Sequence, residues 1–94
     1  MAGYLIFYYV LEEGEIARIA TAHSVRRQGA AGQMFRKLLD FCQEQKITRI
    51  MLEVRESNEA ARQFYGKCGF TKDGIRRNYY ENPKENAVLM SVNL

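Results

Sequence analysis

Between Glu15 and Arg55 the chain runs through an apolar stretch, a glycine-rich break, a stripe of helical spacing and a second apolar stretch. A strand–helix–strand unit of this kind returns its second strand by a crossover, which strand twist makes right-handed in nearly all folds. With 94 residues there is room for one domain, so the flanking segments must complete the same sheet. Tyr4–Leu11 is aromatic and aliphatic on both faces, which suits a strand covered on both sides. Glu12-Glu13-Gly14 reads as a turn and Glu15–Ala22 as a second strand, the two forming a hairpin. Met34, Phe35, Leu38, Leu39 and Cys42 define an amphipathic helix ending near Lys46.

The third strand, Ile47–Arg55, sets Ile50, Leu52 and Val54 on one face and Met51 with Glu53 on the other. A carboxylate beside Met51 on a central strand is a local conflict, and such conflicts often mark function. Asn58 can cap a second helix, with Glu59 in its first turn, where the dipole favours negative charge. Ala60, Ala61, Phe64, Tyr65 and Cys68 form its apolar stripe and Gly69 suits a left-handed terminator. Phe70–Tyr80 and Ala87–Leu94 read as an antiparallel pair joined through Asn82-Pro83-Lys84-Glu85-Asn86. The order ββαβαββ makes an α/β domain with a mixed sheet.

Formal charge is +3, from 14 basic and 11 acidic side chains spread along the chain, a solvated mixed surface rather than a nucleic-acid footprint. Cys42 and Cys68 lie on the apolar sides of the two helices, with no second Cys or His at ligand spacing, so they read as buried free thiols and no metal is expected. The longest apolar run, Tyr4–Leu11, has eight residues, so neither a membrane span nor a signal peptide is expected, and the expected location is cytoplasmic.

The break itself reads "SVRRQGAAGQ", Ser24 to Gln33. A strand, a short glycine loop and a helix start make an anion site, because unpaired N–H groups and the helix dipole face outward. Glycine lets the backbone approach a phosphate, and Arg26 and Arg27 add charge. The loop lacks the Gly-Lys-Ser/Thr of P-loops and the Gly-x-Gly-x-x-Gly of dinucleotide folds. A helix start with small residues for tight packing explains it equally well, and the loop alone leaves both open.

The wider pattern resembles a known family. Arg26-Arg27-Gln28-Gly29-Ala30-Ala31 matches Arg/Gln-x-x-Gly-x-Gly/Ala, the acetyl-CoA pyrophosphate motif of the GNAT superfamily of N-acetyltransferases. "LEVRESNEAARQFYGKCGF" (Leu52–Phe70) and "IRRNYY" (Ile75–Tyr80) are similar to the RimI-like branch, which acetylates the N-terminal alanine of a ribosomal protein. The resemblance spans Tyr4 to Leu94 and implies acetyl transfer to an amine, most simply a protein or peptide N-terminus. It implies Glu53 as general base, against a plain ion pair with Arg55 or Arg49, and Tyr65 as general acid, against a core aromatic. Cofactor binding falls by the same resemblance to Ile19, Ala20 and Thr21 for the pantetheine arm, with an N–H near Thr21 polarising the thioester. It falls also to Arg26 through Gly32 for the pyrophosphate, and to Asn58. Tyr79 and Tyr80 match aromatics near the substrate N-terminus, and Glu85-Asn86-Ala87 stands where Glu-Asp-Ala is more usual. His23 lies where relatives often have proline and reads as a solvated loop residue.

Complete members of the family place a strand, a helix pair and a further strand before the hairpin, whereas only Met1-Ala2-Gly3 precede Tyr4 here. The expected fold is thus a truncated GNAT domain with part of the acceptor groove missing. A CoA-binding module without transfer activity is the alternative function. Tyr4–Leu11 becomes an apolar edge, so a homodimer or a partner chain is expected to pair with it, which a monodisperse monomer in sedimentation would exclude.

Overall fold

The alternation along the third strand shows how the layers form: Ile50, Leu52 and Val54 are buried, and the residues between them are only half-buried. The computed structural model describes the backbone of residues 3–21 and 30–94 and the side chains of residues 5–17 and 32–94. In chain order the elements are β1 Gly3–Val10, β2 Glu13–Thr21, α1 Ala30–Gln45, β3 Arg49–Arg55, α2 Glu59–Lys67, β4 Thr71–Tyr80 and β5 Glu85–Asn93. They reproduce the expected ββαβαββ order. The five strands form one mixed sheet, β1-β2-β3-β5-β4, in which only β2 and β3 run parallel.

Both helices cover the same face. Phe35, Leu38 and Cys42 of α1 and Tyr65 of α2 share one core with Ile50, Leu52, Val54, Val88 and Met90. Burying about this many large apolar side chains, at 1.5–3 kcal/mol each, is the main favourable term in the fold. The opposite face has no described element over it. β1 is an edge strand, as expected, but it is not covered on both sides. Phe7 and Tyr9 lean on Phe41 of α1, whereas Ile6, Tyr8 and Val10 on the other face are 40%, 64% and 75% exposed.

The first turn also differs from the reading of Glu12-Glu13-Gly14. Val10 pairs with Glu13, so the hairpin turns on Leu11-Glu12, and Leu11 takes a left-handed φ of 56°. Gly14 lies inside β2 because the Phe7 ring packs over it and any Cβ there would overlap that ring. The last turn is Glu81–Lys84 rather than 82–86, since Glu85 and Asn86 already belong to β5. Cys42 is buried, as expected of a core thiol, while Cys68 at the end of α2 is only half-buried; both are free.

Each helix ends in the same hydrogen-bonded stop. Ile47 N–H donates to the Cys42 carbonyl at 2.9 Å and Lys46 N–H to the Gln43 carbonyl at 3.3 Å; Phe70 and Gly69 repeat this onto Tyr65 and Gly66 at 2.9 and 3.1 Å. This motif needs a left-handed residue, supplied by Gly69 (φ 98°) after α2 but by Lys46 (φ 60°) after α1. An L side chain in that region costs about 1–2 kcal/mol. Lys46→Gly should therefore stabilise the domain by about 1 kcal/mol and Gly69→Ala destabilise it by a similar amount, read as opposite shifts of the urea midpoint.

Candidate active site

The two parallel strands do not stay together. β2 pairs with β3 only from Glu13↔Arg49 to Ile16↔Leu52, although β2 continues to Thr21 and β3 to Arg55. The cause lies on the other side of β2. Its partners in β1 jump from Phe7↔Ile16 to Ile6↔Arg18, so Ala17 is an extra, bulged residue directly after the last pair with β3. A bulge bends its strand and increases its twist, which carries β2 away from β3. The result is a slot walled by two strand edges whose backbone groups are available to an extended ligand.

Helix starts gather at the mouth of this slot. α1 reaches β3 through the short link Lys46–Thr48, so its far end, Ala30, lies at the C-terminal end of the parallel pair. α2 follows β3 after Glu56-Ser57-Asn58, and it runs back toward Thr71, which pairs with Ser91 opposite Met51. Two positive helix ends therefore converge where the strands part, which favours an anionic ligand. Asn58 caps α2 as expected, its Oδ1 accepting the Ala61 N–H at 3.2 Å and its amide NH2 left as a donor.

Ile19, Ala20 and Thr21 form the end of β2, paired with Leu5, Tyr4 and Gly3. Ala30, Ala31 and Gly32 open α1. A Cβ on Gly32 would meet nothing within 4 Å, so among the described residues no close packing demands glycine there. Arg26, Arg27, Gln28 and Gly29, with His23, lie outside the described residues.

Glu53 is the first residue of β3 beyond the last pair with β2, and it faces the uncovered side of the sheet. Its side chain is 20% exposed and Oε1 lies 3.4 Å from Arg76 Nη2. The alternative reading, an ion pair with Arg55 or Arg49, does not form; the partner is Arg76. Arg55 turns to Glu85 at 3.2 Å, and Arg49 to Asp73 at 3.8 Å and to Ser91 Oγ at 3.4 Å. Arg76 reaches Glu53 across β5, where its own row carries the small residue Ala87 and the next carries Leu89. Tyr79 and Tyr80 join this cluster: Arg76 lies 5.0 Å from the Tyr79 ring centre, Arg55 lies 4.4 Å from that of Tyr80, and the two rings pack edge to face. Burial, then the negative charge of Glu53, pushes the Tyr80 hydroxyl above its ordinary value.

Tyr65 occupies the other side. Only 5% exposed, it packs edge to face against Phe64 and Phe70 in the core beneath Leu52 and Val54. Burial and, second, the neighbouring Cys68 push its phenol up to about 12, so it stays protonated across the neutral range. The stop after α2 fixes it directly, because the Tyr65 carbonyl accepts the Phe70 N–H. The structure thus groups Glu53, Tyr79 and Tyr80 on the open face of the sheet and sets Tyr65 on the helix face. Arg55, Arg76 and Glu85 escape a reading of the sequence because their partners lie 20 to 30 residues away along the chain.

The pattern of the Acetyltransferase (GNAT) family matches residues 1–70. The [ribosomal protein bS18]-alanine N-acetyltransferase of Haemophilus influenzae is 38% identical over 95 residues, covering 98% of this chain and 64% of that enzyme. The crystal structure of the ribosomal-protein-S18-alanine N-acetyltransferase from Escherichia coli superposes with a TM-score of 0.90 at 35% identity, covering 99% of this chain and 61% of that one. The NatC complex bound to Gag peptide and CoA is similar at 26% identity and a TM-score of 0.89, over 99% of this chain and 61% of that one. The chain therefore spans about three fifths of the relatives it matches.

Proposed function

The chain belongs to the GNAT acetyltransferase family, and we propose on that premise that it moves an acetyl group directly from acetyl-CoA to the N-terminal α-amine of a protein or peptide. The observation that carries this reading is the slot that opens between β2 and β3 at Glu53, with a carboxylate on one face and a neutral phenol on the other. The described residues fit acetyl-CoA: free strand edges for an amide-bearing arm, the start of α1 for phosphate charge, and the Asn58 amide as a donor. When bound, it would supply the acyl carbon and a thiolate leaving group.

In this reading Glu53 takes a proton from the acceptor amine, directly or through a water. An α-amine ionises near about pH 7.7–8.0, so the base need not be strong. Tyr65 returns a proton to the departing thiolate from the opposite face, and a β2 N–H near Thr21 polarises the thioester carbonyl. Arg26 through Gly32 hold the pyrophosphate, and Tyr79 and Tyr80 line the acceptor side. The RimI-like relatives at 35–38% identity and the peptide and CoA in the NatC structure support the donor and acceptor classes. The exposed apolar side of β1 supports pairing with a second copy or a partner chain there.

The alternative reading is a CoA-binding module without transfer, in which Tyr65 is a core aromatic alone. Calorimetry with acetyl-CoA, followed by a thiol-release assay with a peptide beginning in alanine, separates the two. Binding with peptide-dependent thiol release is expected, and Gly29→Asp should abolish the binding. Binding without release would leave the module, and no binding would end both readings.

A further inference from the structure

Glu85 carries no role in the chemistry above, yet it makes close charge-assisted contacts on two sides. Its Oε2 accepts the Ser57 N–H at 2.6 Å and its Oε1 meets Arg55 Nη1 at 3.2 Å. Arg55 Nη1 also donates to the Pro83 carbonyl at 3.2 Å and Nη2 to the Glu81 carbonyl at 3.3 Å, while its guanidinium covers the Tyr80 ring. One carboxylate thus holds the residue before the α2 cap and, through one guanidinium, the β4–β5 turn and Tyr80. A neutral tie runs beside it. The Asn86 carbonyl accepts the Glu56 N–H at 3.0 Å, and Asn86 Oδ1 accepts the Asn78 N–H at 2.9 Å.

We propose that Glu85 is a positioning residue that locks the mouth of α2 to the turn 81–84 and Tyr80, so that the cofactor side and the acceptor side of the site move as one body. The names of the two sides rest on the transferase reading; the lock itself does not. Charge-assisted bonds are roughly twice as strong as neutral ones, and the Glu85 side chain is largely shielded from solvent. The Ser57 N–H, then Arg55, hold its carboxyl below the ordinary value of 4.5. Arg55 faces Glu85 from β3, and Tyr80 is faced by Glu53 and Arg55 from β3 and by Tyr79 from β4. Because Glu53 also acts on Tyr80, only the response that Glu85→Gln removes counts.

The test is a pH titration by NMR of the whole chain. The Ser57 amide and the Tyr80 ring should share one transition with a midpoint below 4.5, and Glu85→Gln should remove it from both. Arg55→Lys keeps the charge but loses the fork, so it should leave Ser57 titrating and release Tyr80; this variant also decides the matter if Glu85→Gln does not fold. A Tyr80 ring that ignores the Ser57 transition, or a shared transition that survives Glu85→Gln, would overturn the lock. In the transfer assay Arg55→Lys should raise the KM for an alanine-starting peptide about tenfold with the acetyl-CoA KM within about twofold, whereas Glu85→Gln raises both. Wild-type peptide KM values in both variants would count against the lock. A wild-type chain with no transfer would count against the transferase reading alone, and the titration would still decide the lock.

Discussion

Glu53→Gln should lower turnover with an alanine-starting peptide by about 10²–10⁴ while acetyl-CoA still binds, the range set by loss of a positioned general base. Glutamine keeps the length and an acceptor oxygen but cannot hold the amine proton. Glu53 stands just past the last β2–β3 pair, on the face away from the α2 cap, so its neutralisation leaves the slot and the helix starts in place. The ion pair with Arg76 would be lost, but Arg76 is 53% exposed, and pairs of that kind contribute little to stability. Steady-state kinetics beside a calorimetric titration of each protein make the comparison. A variant that turns over at the wild-type rate would remove Glu53 from the mechanism.

Tyr65→Phe should cut turnover by a similar factor, about 10²–10⁴, through loss of the proton donor to the leaving thiolate. The edge-to-face packing on Phe64 and Phe70 involves the ring, which phenylalanine retains, so the fold should persist. The raised pKa sets a sign that can be checked. The folded value of about 12 exceeds the ordinary 10, so the stability linked to the neutral phenol is complete below pH 10 and is lost as pH rises toward 12. Tyr65→Phe should therefore resist alkaline unfolding over that window better than the wild type. The wild-type rate should show no fall below pH 10 from ionisation of this group. Unchanged turnover in the phenylalanine variant would return Tyr65 to the core.

Much of this was legible along the chain because its signals are local. The two-residue alternation of β3, the cap at Asn58 and the left-handed stop at Gly69 each depend on neighbours within a few positions. Gly14 misled for a physical reason: a glycine beside two glutamates reads as a turn, yet its use is to lie under the Phe7 ring, a cross-strand contact. The apolar stripe ends the first helix near Lys46, as the structure has it, but the hydrogen-bonded stop itself is not legible there, since it forms without the glycine that would announce it. The partner of Glu53 was missed because Arg76 reaches it over β5, and one sequence does not record which rows of a sheet share an arginine. Glu53, Asn58 and Tyr65 stood out; the charge network that ties Glu53 and Glu85 to the two tyrosines did not.

The bulge at Ala17 implies that the slot is written as a number rather than as a residue type. Up to Ile16 the paired residues of β1 and β2 add to one constant, and from Arg18 onward they add to that constant plus one. A side chain exchanged at position 17 leaves this arithmetic untouched. Removing the residue would restore a single phase along β2, and with it the straight course that could zip the strand onto β3 past Leu52. The place where a ligand could enter is thus protected against substitution and exposed to deletion, an error of counting rather than of spelling.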